Sequence, residues 1–148
     1  VKTLGLTLDE AQRQLTKESG LKGLSGGLSN DVRDISEAAA KGHAKARLAL
    51  DVLVSEARRW IGNYLVQLNG ADAIVFTAGI GENRAELRAA ICADLDQLGI
   101  VLDAARNDAT RATEAVISAA SSRVKVMVIP TNEELVVARE ARRLLKKN

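Results

Sequence analysis

The stretch Asp72-Ala-Ile-Val-Phe-Thr-Ala-Gly-Ile-Gly-Glu-Asn83 decides the fold of this chain. Its first part, Ala73 to Thr77, is a continuous apolar run rich in β-branched residues, which predicts a strand covered on both faces. Two glycines then predict a tight turn, and a helix is predicted to start at Asn83. This order of elements aims backbone N–H groups at one spot, where an anion such as phosphate can bind.

The glycine turn has two interpretations. In the architectural one, the glycines only permit a sharp reversal, and Asn83 with Glu86 caps a helix that runs to Leu98. In the functional one, the glycines remove Cβ atoms so that a nucleotide can approach the backbone. The contacting residues would then be Gly79, Ile80, Gly81, Glu82 and Asn83. Spacing alone does not decide between them, since short glycine motifs match by chance.

The rest of the chain predicts an α/β architecture with a parallel pair of strands. A second apolar run, Val124 to Ile129, follows a helical segment, which is the order of a parallel crossover. A long helix capped by Ser36 or Asp34 is predicted to run to Leu68. Two main strands make a poor sheet, so we expect the sheet to be completed by something absent from these 148 residues.

Composition excludes several classes of function. The 148 residues are 47% apolar and 27% charged, an ordinary balance for one globular domain. The net charge of +2 is dispersed, which argues against nucleic-acid binding, and no apolar run is long enough to cross a membrane. Cys92 is predicted to be a packed thiol and His43 a surface residue. With no Walker A, zinc or Ser-His-Asp pattern, no catalytic residue is nominated.

A second candidate segment is Ser29-Asn-Asp-Val-Arg-Asp34. It is either a solvated turn before a helix or one side of an adenosine site. In the second case the Asp31 carboxylate accepts hydrogen bonds from ribose hydroxyls, Val32 covers the base and the Arg33 guanidinium stacks on it.

The third segment is Ile129-Pro-Thr-Asn-Glu-Glu134, which opens the last predicted helix. A capping box is predicted between Thr131 and Glu134, which leaves Glu133 without a capping role. Glu133 is then either an acid favoured by the helix dipole or a carboxylate that helps to hold Mg²⁺, directly or through water.

Taken in order, the three segments resemble the carboxy-terminal part of the acetate/propionate kinase (acetokinase) family. The most specific piece is Phe76-Thr-Ala-Gly-Ile-Gly-Glu-Asn83 combined with Ile129-Pro-Thr-Asn-Glu-Glu-Leu135. The similarity runs from about Lys2 to Leu145, nearly the whole chain.

The resemblance implies the acetokinase branch of the sugar kinase/Hsp70/actin (ribonuclease H-like) fold, with residues 1–148 as part of one nucleotide-binding domain. It implies a cytoplasmic homodimer that uses ATP/ADP and Mg²⁺ to convert acetate or propionate to an acyl phosphate. Carried over by position, Asp31, Val32 and Arg33 resemble one wall of the adenosine pocket, Gly79 to Asn83 resemble the other nucleotide-contacting loop, and Glu133 resembles the magnesium-associated glutamate.

The chain departs from the family at three points. Ala78 stands where the family more often has Gly, and Val32 stands where it often has an aromatic residue. The family's amino-terminal half, which supplies the groups that clamp the carboxylate and the transferred phosphoryl, is absent. We therefore expect the chain alone to be inactive. The alternative is a non-catalytic helical interaction module, without nucleotide binding, whose long helix pairs with a partner.

Overall fold

A computed structural model describes residues 5–145 of the chain. The chain divides into two compact units, Val1–Val66 and Gln67–Asn148. None of the helices within residues 5–145 combines the length and the hydrophobicity that a membrane crossing requires.

The first unit is helical. Its helices are α1 (Leu8–Arg13), α2 (Gly20–Leu24), α3 (Val32–Ala40) and α4 (Ala44–Gln67), and a π-helical turn, Gln14–Glu18, follows α1. Thr7 and Glu10 form a reciprocal capping box at the start of α1, in which the Glu10 carboxylate accepts from the Thr7 N–H at 2.8 Å. The fully buried apolar residues of this unit are Ile35, Ala46 and Ala49.

The single long helix predicted from Ser36 or Asp34 is wrong in two respects. It is two helices, because the chain leaves the helical path at Gly42, where φ is +89°. The second helix is capped by the His43 ring, whose Nδ1 accepts from the Ala46 N–H at 3.1 Å. The first helix starts earlier than predicted, because Asp31 is its N-cap residue.

The second unit holds the sheet. Its elements are β1 (Ala73–Phe76), α5 (Ala78–Asn83), α6 (Ala85–Cys92), a 3₁₀ turn (Asp96–Leu98), α7 (Ala104–Ala109), β2 (Ala115–Val116), β3 (Lys125–Val128) and α8 (Glu133–Leu145). The strand order is β1-β3-β2. Strands β1 and β3 are parallel, with Ala73 opposite Lys125, which confirms the predicted parallel pair. Strand β2 is antiparallel to β3, so the small sheet is mixed.

The two parallel strands differ in burial. On β3, Val126 and Val128 are fully buried. On β1, Val75 is 47% exposed, so within the described residues this strand is not covered on both faces as predicted. Strand β1 also lies at the edge of the sheet, with β3 as its one strand neighbour in the described part of the chain.

Candidate functional site

The turn between β1 and α5 is made by Ala78 and not by the glycines. Thr77 is extended, with φ −144° and ψ 175°, and Ala78 has a φ of +58°. Gly79 and Gly81 both lie within α5, and neither has a positive φ. The predicted glycine turn is therefore wrong, and the left-handed conformation falls on a residue that carries a Cβ.

The two glycines of α5 differ in what surrounds them. A Cβ on Gly81 would lie 3.1 Å from the carbonyl carbon of Phe76, so this glycine lets the helix pack closely on the strand that precedes it. A Cβ on Gly79 would meet no atom within 4 Å, and Gly79 is exposed. The close packing of this unit therefore favours glycine at position 81, and nothing in the described packing favours it at position 79.

Asn83 ends α5 and does not cap the next helix. Its side-chain Nδ2 donates to the Gly79 carbonyl at 3.0 Å. The next helix, α6, begins at Ala85 after Arg84, and Glu86 pairs with Arg84 at 2.6 Å, so the predicted Asn83–Glu86 capping pair is wrong. Asn83 is exposed, and its amide is therefore accessible to a ligand.

Glu82 faces the protein interior, with 8% of its surface exposed. Its Oε1 accepts two hydrogen bonds from Thr131, from the backbone N–H at 2.8 Å and from the hydroxyl at 3.1 Å. Its carbonyl also accepts from the Ala112 N–H at 3.2 Å. The Glu82 side chain thus joins α5 to the segment that leads into α8.

The start of α8 is built differently from the predicted capping box. Thr131 is bonded to Glu82, and Asn132 supplies the cap, because its Oδ1 accepts from the Leu135 N–H at 2.8 Å. Glu133 is the first residue of the helix, and its side chain lies outside the described part of the structure. Among the side chains that the structure describes, which do not include that of Glu133, no three from His, Cys, Asp or Glu converge on a point that could hold a metal ion.

Arg88 on α6 is fully buried, and its guanidinium donates hydrogen bonds to backbone carbonyls of α5. Its guanidinium makes five hydrogen bonds, to the carbonyls of Gly81, Glu82, Asn107 and Thr110 and to the side-chain oxygen of Asn107, at 2.8 to 3.0 Å. These bonds use all five N–H donors of an arginine. Burial, followed by the nearby Arg111, lowers the pKa of this guanidinium from its ordinary value.

Sequence reasoning did not identify Arg88, although a signal was present. Ala85, Arg88 and Cys92 are spaced by three and four residues, which places the arginine on the face of α6 that also carries two buried apolar residues. Cys92 is 5% exposed, which confirms the predicted packed thiol.

Asp31, Val32 and Arg33 form the start of α3 in the first unit. The Asp31 carboxylate accepts from the Arg33 N–H at 2.8 Å and pairs with the Arg33 guanidinium at 2.6 Å. Hydrogen bonding to Asp31 raises the pKa of Arg33, whose side chain is 79% exposed. Val32 is 5% exposed, so its side chain belongs to the core of this unit. The candidate phosphate and metal residues belong to the second unit.

A cleft of about 370 Å³ lies elsewhere in the second unit, lined by α6, α7 and the chain segments between them. Its lining includes Cys92, Leu95, Ile100 and Leu102 and is mostly apolar. None of the residues nominated from the sequence lines it.

Curated proteins similar to this chain are acetate kinases. The chain is 48% identical over 143 residues to an acetate kinase of Syntrophomonas wolfei, and the match covers 97% of this chain and 36% of that protein. It is 49% identical over 142 residues to an acetate kinase of Methanosarcina thermophila, covering 96% of this chain and 34% of that protein. The chain therefore spans about a third of the length of these relatives.

Solved structures agree. The acetate kinase of Porphyromonas gingivalis matches with a TM-score of 0.88 at 35% identity, over 97% of this chain and 36% of that one. A propionate kinase of Francisella tularensis matches with a TM-score of 0.82 at 39% identity, over 94% of this chain and 35% of that one. These matches confirm the expected fold. Residues 1–139 match the sequence model of the acetokinase family, and the chain belongs to that family.

Proposed function

We propose that this chain is the nucleotide-binding portion of an enzyme that transfers phosphate from ATP to a short carboxylate, acetate or propionate, and forms an acyl phosphate. Support comes from the family match over residues 1–139 and from relatives named acetate kinase and propionate kinase. Because the chain spans about a third of those relatives, the activity is proposed for the whole protein and the nucleotide contacts for this portion of it.

The observation that carries the proposal is the open space beside Gly79. In a module that binds no nucleotide, nothing in the described unit favours glycine here, since the φ is ordinary and a Cβ would meet no atom within 4 Å. A glycine in a helix is destabilising relative to alanine. A ligand that comes close to the α5 backbone would explain why glycine stands here despite this destabilisation. Asn83, on the same short helix, is also exposed.

For the adenosine contacts we propose Asp31 and Arg33. Arg33 is held by the Asp31 carboxylate yet remains 79% exposed, so one face of its planar guanidinium is available to stack on a base. The resemblance places a carboxylate beside the ribose hydroxyls at this position, and in the structure Asp31 caps α3 and orients Arg33. Val32 is proposed to support this turn from the core, because its side chain is buried.

Magnesium is proposed to bind at Glu133 together with the nucleotide phosphates. Mg²⁺ commonly takes one or two carboxylates and completes its shell with phosphate oxygens and water, so one glutamate at the start of α8 is a sufficient protein ligand. When bound, the ion neutralises charge on the phosphates. We further propose that the whole enzyme is a cytoplasmic homodimer, as the resemblance implies.

Calorimetric titration with Mg-ADP, with Mg-GDP as the control nucleotide, tests this proposal. We expect saturable one-to-one binding of Mg-ADP that is weakened in Asp31→Ala and in Asn83→Ala. Far-UV circular dichroism of each variant shows whether it is folded. If the folded wild-type chain binds neither nucleotide, or if both variants bind as wild type does, this assignment of the nucleotide contacts is wrong.

Acyl phosphate formation, detected by trapping the product as a hydroxamate, tests whether this portion of the protein is active without the rest of the enzyme. Phosphoryl transfer depends on positioning the reactants and neutralising charge on the transferred group. The 148-residue chain spans about a third of its relatives, and we expect it to form no hydroxamate. Formation of hydroxamate by the pure chain would show that it carries the acyl site as well.

A further inference from the structure

Glu82 lies inside the candidate phosphate-binding helix, yet its geometry gives it another task. The residue is buried, with 8% of its surface exposed, and Oε1 accepts two hydrogen bonds from Thr131. Gly79 and Asn83 on the same helix are exposed, whereas Glu82 is buried against Thr131.

The contact connects two parts of the candidate site that are far apart in the chain. Glu82 and Thr131 are separated by 49 residues, and Thr131 precedes Glu133 by two. Two residues of extended chain span at most about 7 Å, so fixing the Thr131 backbone restricts where Glu133 can lie. The Asn132 cap on the Leu135 N–H then orients the first turn of α8, on which Glu133 stands.

The other side of Glu82 is fixed as well. Its carbonyl accepts from the Arg88 guanidinium at 3.0 Å, and that guanidinium is fully buried and fully hydrogen-bonded. Hydrogen bonds to a carboxylate are roughly twice as strong as those between neutral groups. The two bonds to Thr131 are thus a stiff connection between a well-anchored helix and the start of α8.

We propose that Glu82 is a positioning residue, which couples the phosphate-binding helix α5 to the magnesium ligand Glu133 through Thr131. This inference rests on the proposed function, because it assigns Glu82 a part in the same nucleotide and metal site. Mg²⁺ is expected to raise the affinity for the nucleotide. The proposal predicts that loss of the Glu82 carboxylate reduces this gain in affinity more than it reduces the affinity measured without Mg²⁺.

The test is the affinity for ADP measured by calorimetry on the 148-residue chain, once in excess Mg²⁺ and once in EDTA. The ratio of the two dissociation constants is the magnesium effect. We expect Glu82→Ala to reduce the magnesium effect about tenfold, the loss typical of hydrogen bonds to a charged group, and to change the affinity in EDTA far less. Glu82→Gln keeps an acceptor oxygen and should restore part of the effect.

Three further variants complete the design. Glu114→Ala removes an exposed acid of the same unit and should change neither constant. Thr131→Val removes one of the two bonds to Glu82 and should give a smaller loss than Glu82→Ala. In a Glu133→Ala background, Glu82→Ala should have no further influence on the magnesium effect, because its influence passes through Glu133.

The outcomes separate the inference from the proposed function. If Glu133→Ala abolishes the magnesium effect and Glu82→Ala does not reduce it, the inference is wrong and the proposed function stands. Equal losses in Mg²⁺ and in EDTA also overturn the inference, because they mean that Glu82 contacts the nucleotide or only supports the fold. If the folded wild-type chain binds no ADP, or Glu133→Ala has no influence, the assignment of the site fails and the inference with it.

Discussion

Replacing Gly79 with alanine separates a ligand-binding role of α5 from an architectural one. The structure leaves open space where the new Cβ would stand, with no atom within 4 Å. Alanine is preferred to glycine in helices, so Gly79→Ala should raise the free energy of unfolding by about 0.4–1 kcal/mol. On the proposed assignment the same methyl group blocks the approach of a phosphate to the backbone, and we expect at least a tenfold loss of Mg-ADP affinity, or about 1.4 kcal/mol.

Gly81→Ala is the matched control on the same helix. Its Cβ would lie 3.1 Å from the Phe76 carbonyl carbon and 3.4 Å from the Phe76 Cα, both backbone atoms that cannot move without shifting the strand. Overpacking of this kind costs about 1–3 kcal/mol, which exceeds the gain in helix propensity. Gly81→Ala should therefore lower the free energy of unfolding, whereas Gly79→Ala should raise it.

Urea denaturation followed by circular dichroism measures the stability of both variants, and calorimetry measures their affinity for Mg-ADP. A Gly79→Ala chain that is as stable as wild type and binds Mg-ADP equally well would refute the argument that open space at Gly79 serves a ligand. A Gly79→Ala chain that is strongly destabilised would show instead that this glycine has an architectural role.

Three further predictions concern stability and titration. Arg88→Lys should lower the free energy of unfolding, measured by urea denaturation, by about 3 kcal/mol. The reason is that a lysine ammonium has three donors, whereas the arginine makes five hydrogen bonds to buried acceptors. A loss below about 1 kcal/mol would contradict this. Ala78→Gly should raise the melting temperature, since a left-handed residue with a Cβ costs about 1–2 kcal/mol, more than the added chain entropy of glycine; an unchanged or lower melting temperature would count against it. Hydrogen bonds from the Thr7 N–H and hydroxyl lower the pKa of Glu10, so the box stabilises α1 above the ordinary pKa of the carboxyl and weakens as the pH falls through the lowered one. Thr7→Ala removes the hydroxyl bond and should raise this pKa in an NMR titration, and no change would show that the hydroxyl bond is not formed in solution.

Elements defined by neighbouring residues were predictable from the sequence. The Thr7–Glu10 box needs two side chains three residues apart, and it is present. The parallel pair of β1 and β3 follows from two apolar runs separated by helical segments, and it is present in register. The box is decided within four residues, whereas each strand is indicated by its own short apolar run and the strand–helix–strand order favours parallel pairing.

Hydrogen-bond partners that are far apart in the sequence were not predictable. Thr131 has a local partner in Glu134, but the structure pairs it with Glu82, 49 residues away. Asn83 resembles an N-cap, yet Ala78 starts a helix that takes Asn83 in as its last residue. A side chain that can hydrogen-bond locally competes with tertiary partners, and the sequence does not show which partner is close enough to win.

For the candidate site, the sequence did not show which of the nominated residues are buried and which are exposed. Gly79 and Asn83 are exposed, as a ligand contact requires, whereas Val32 and Glu82 are buried. Burial depends on which neighbours pack over a turn, and this information is spread over the whole unit. Direct nucleotide contact by Asp31, Arg33, Gly79 and Asn83 stays a prediction.

The edge position of β1 has a consequence for handling the isolated chain. Its four residues, Ala73–Phe76, carry no charge and no proline, and Val75 is 47% exposed. An uncharged strand edge of this kind can pair with the same edge of another molecule and seed insoluble β-structured aggregates. The other edge is far shorter, because β2 has two residues. Aggregation of the protein when it is concentrated should therefore start at β1. Val75→Lys should reduce light scattering at high protein concentration.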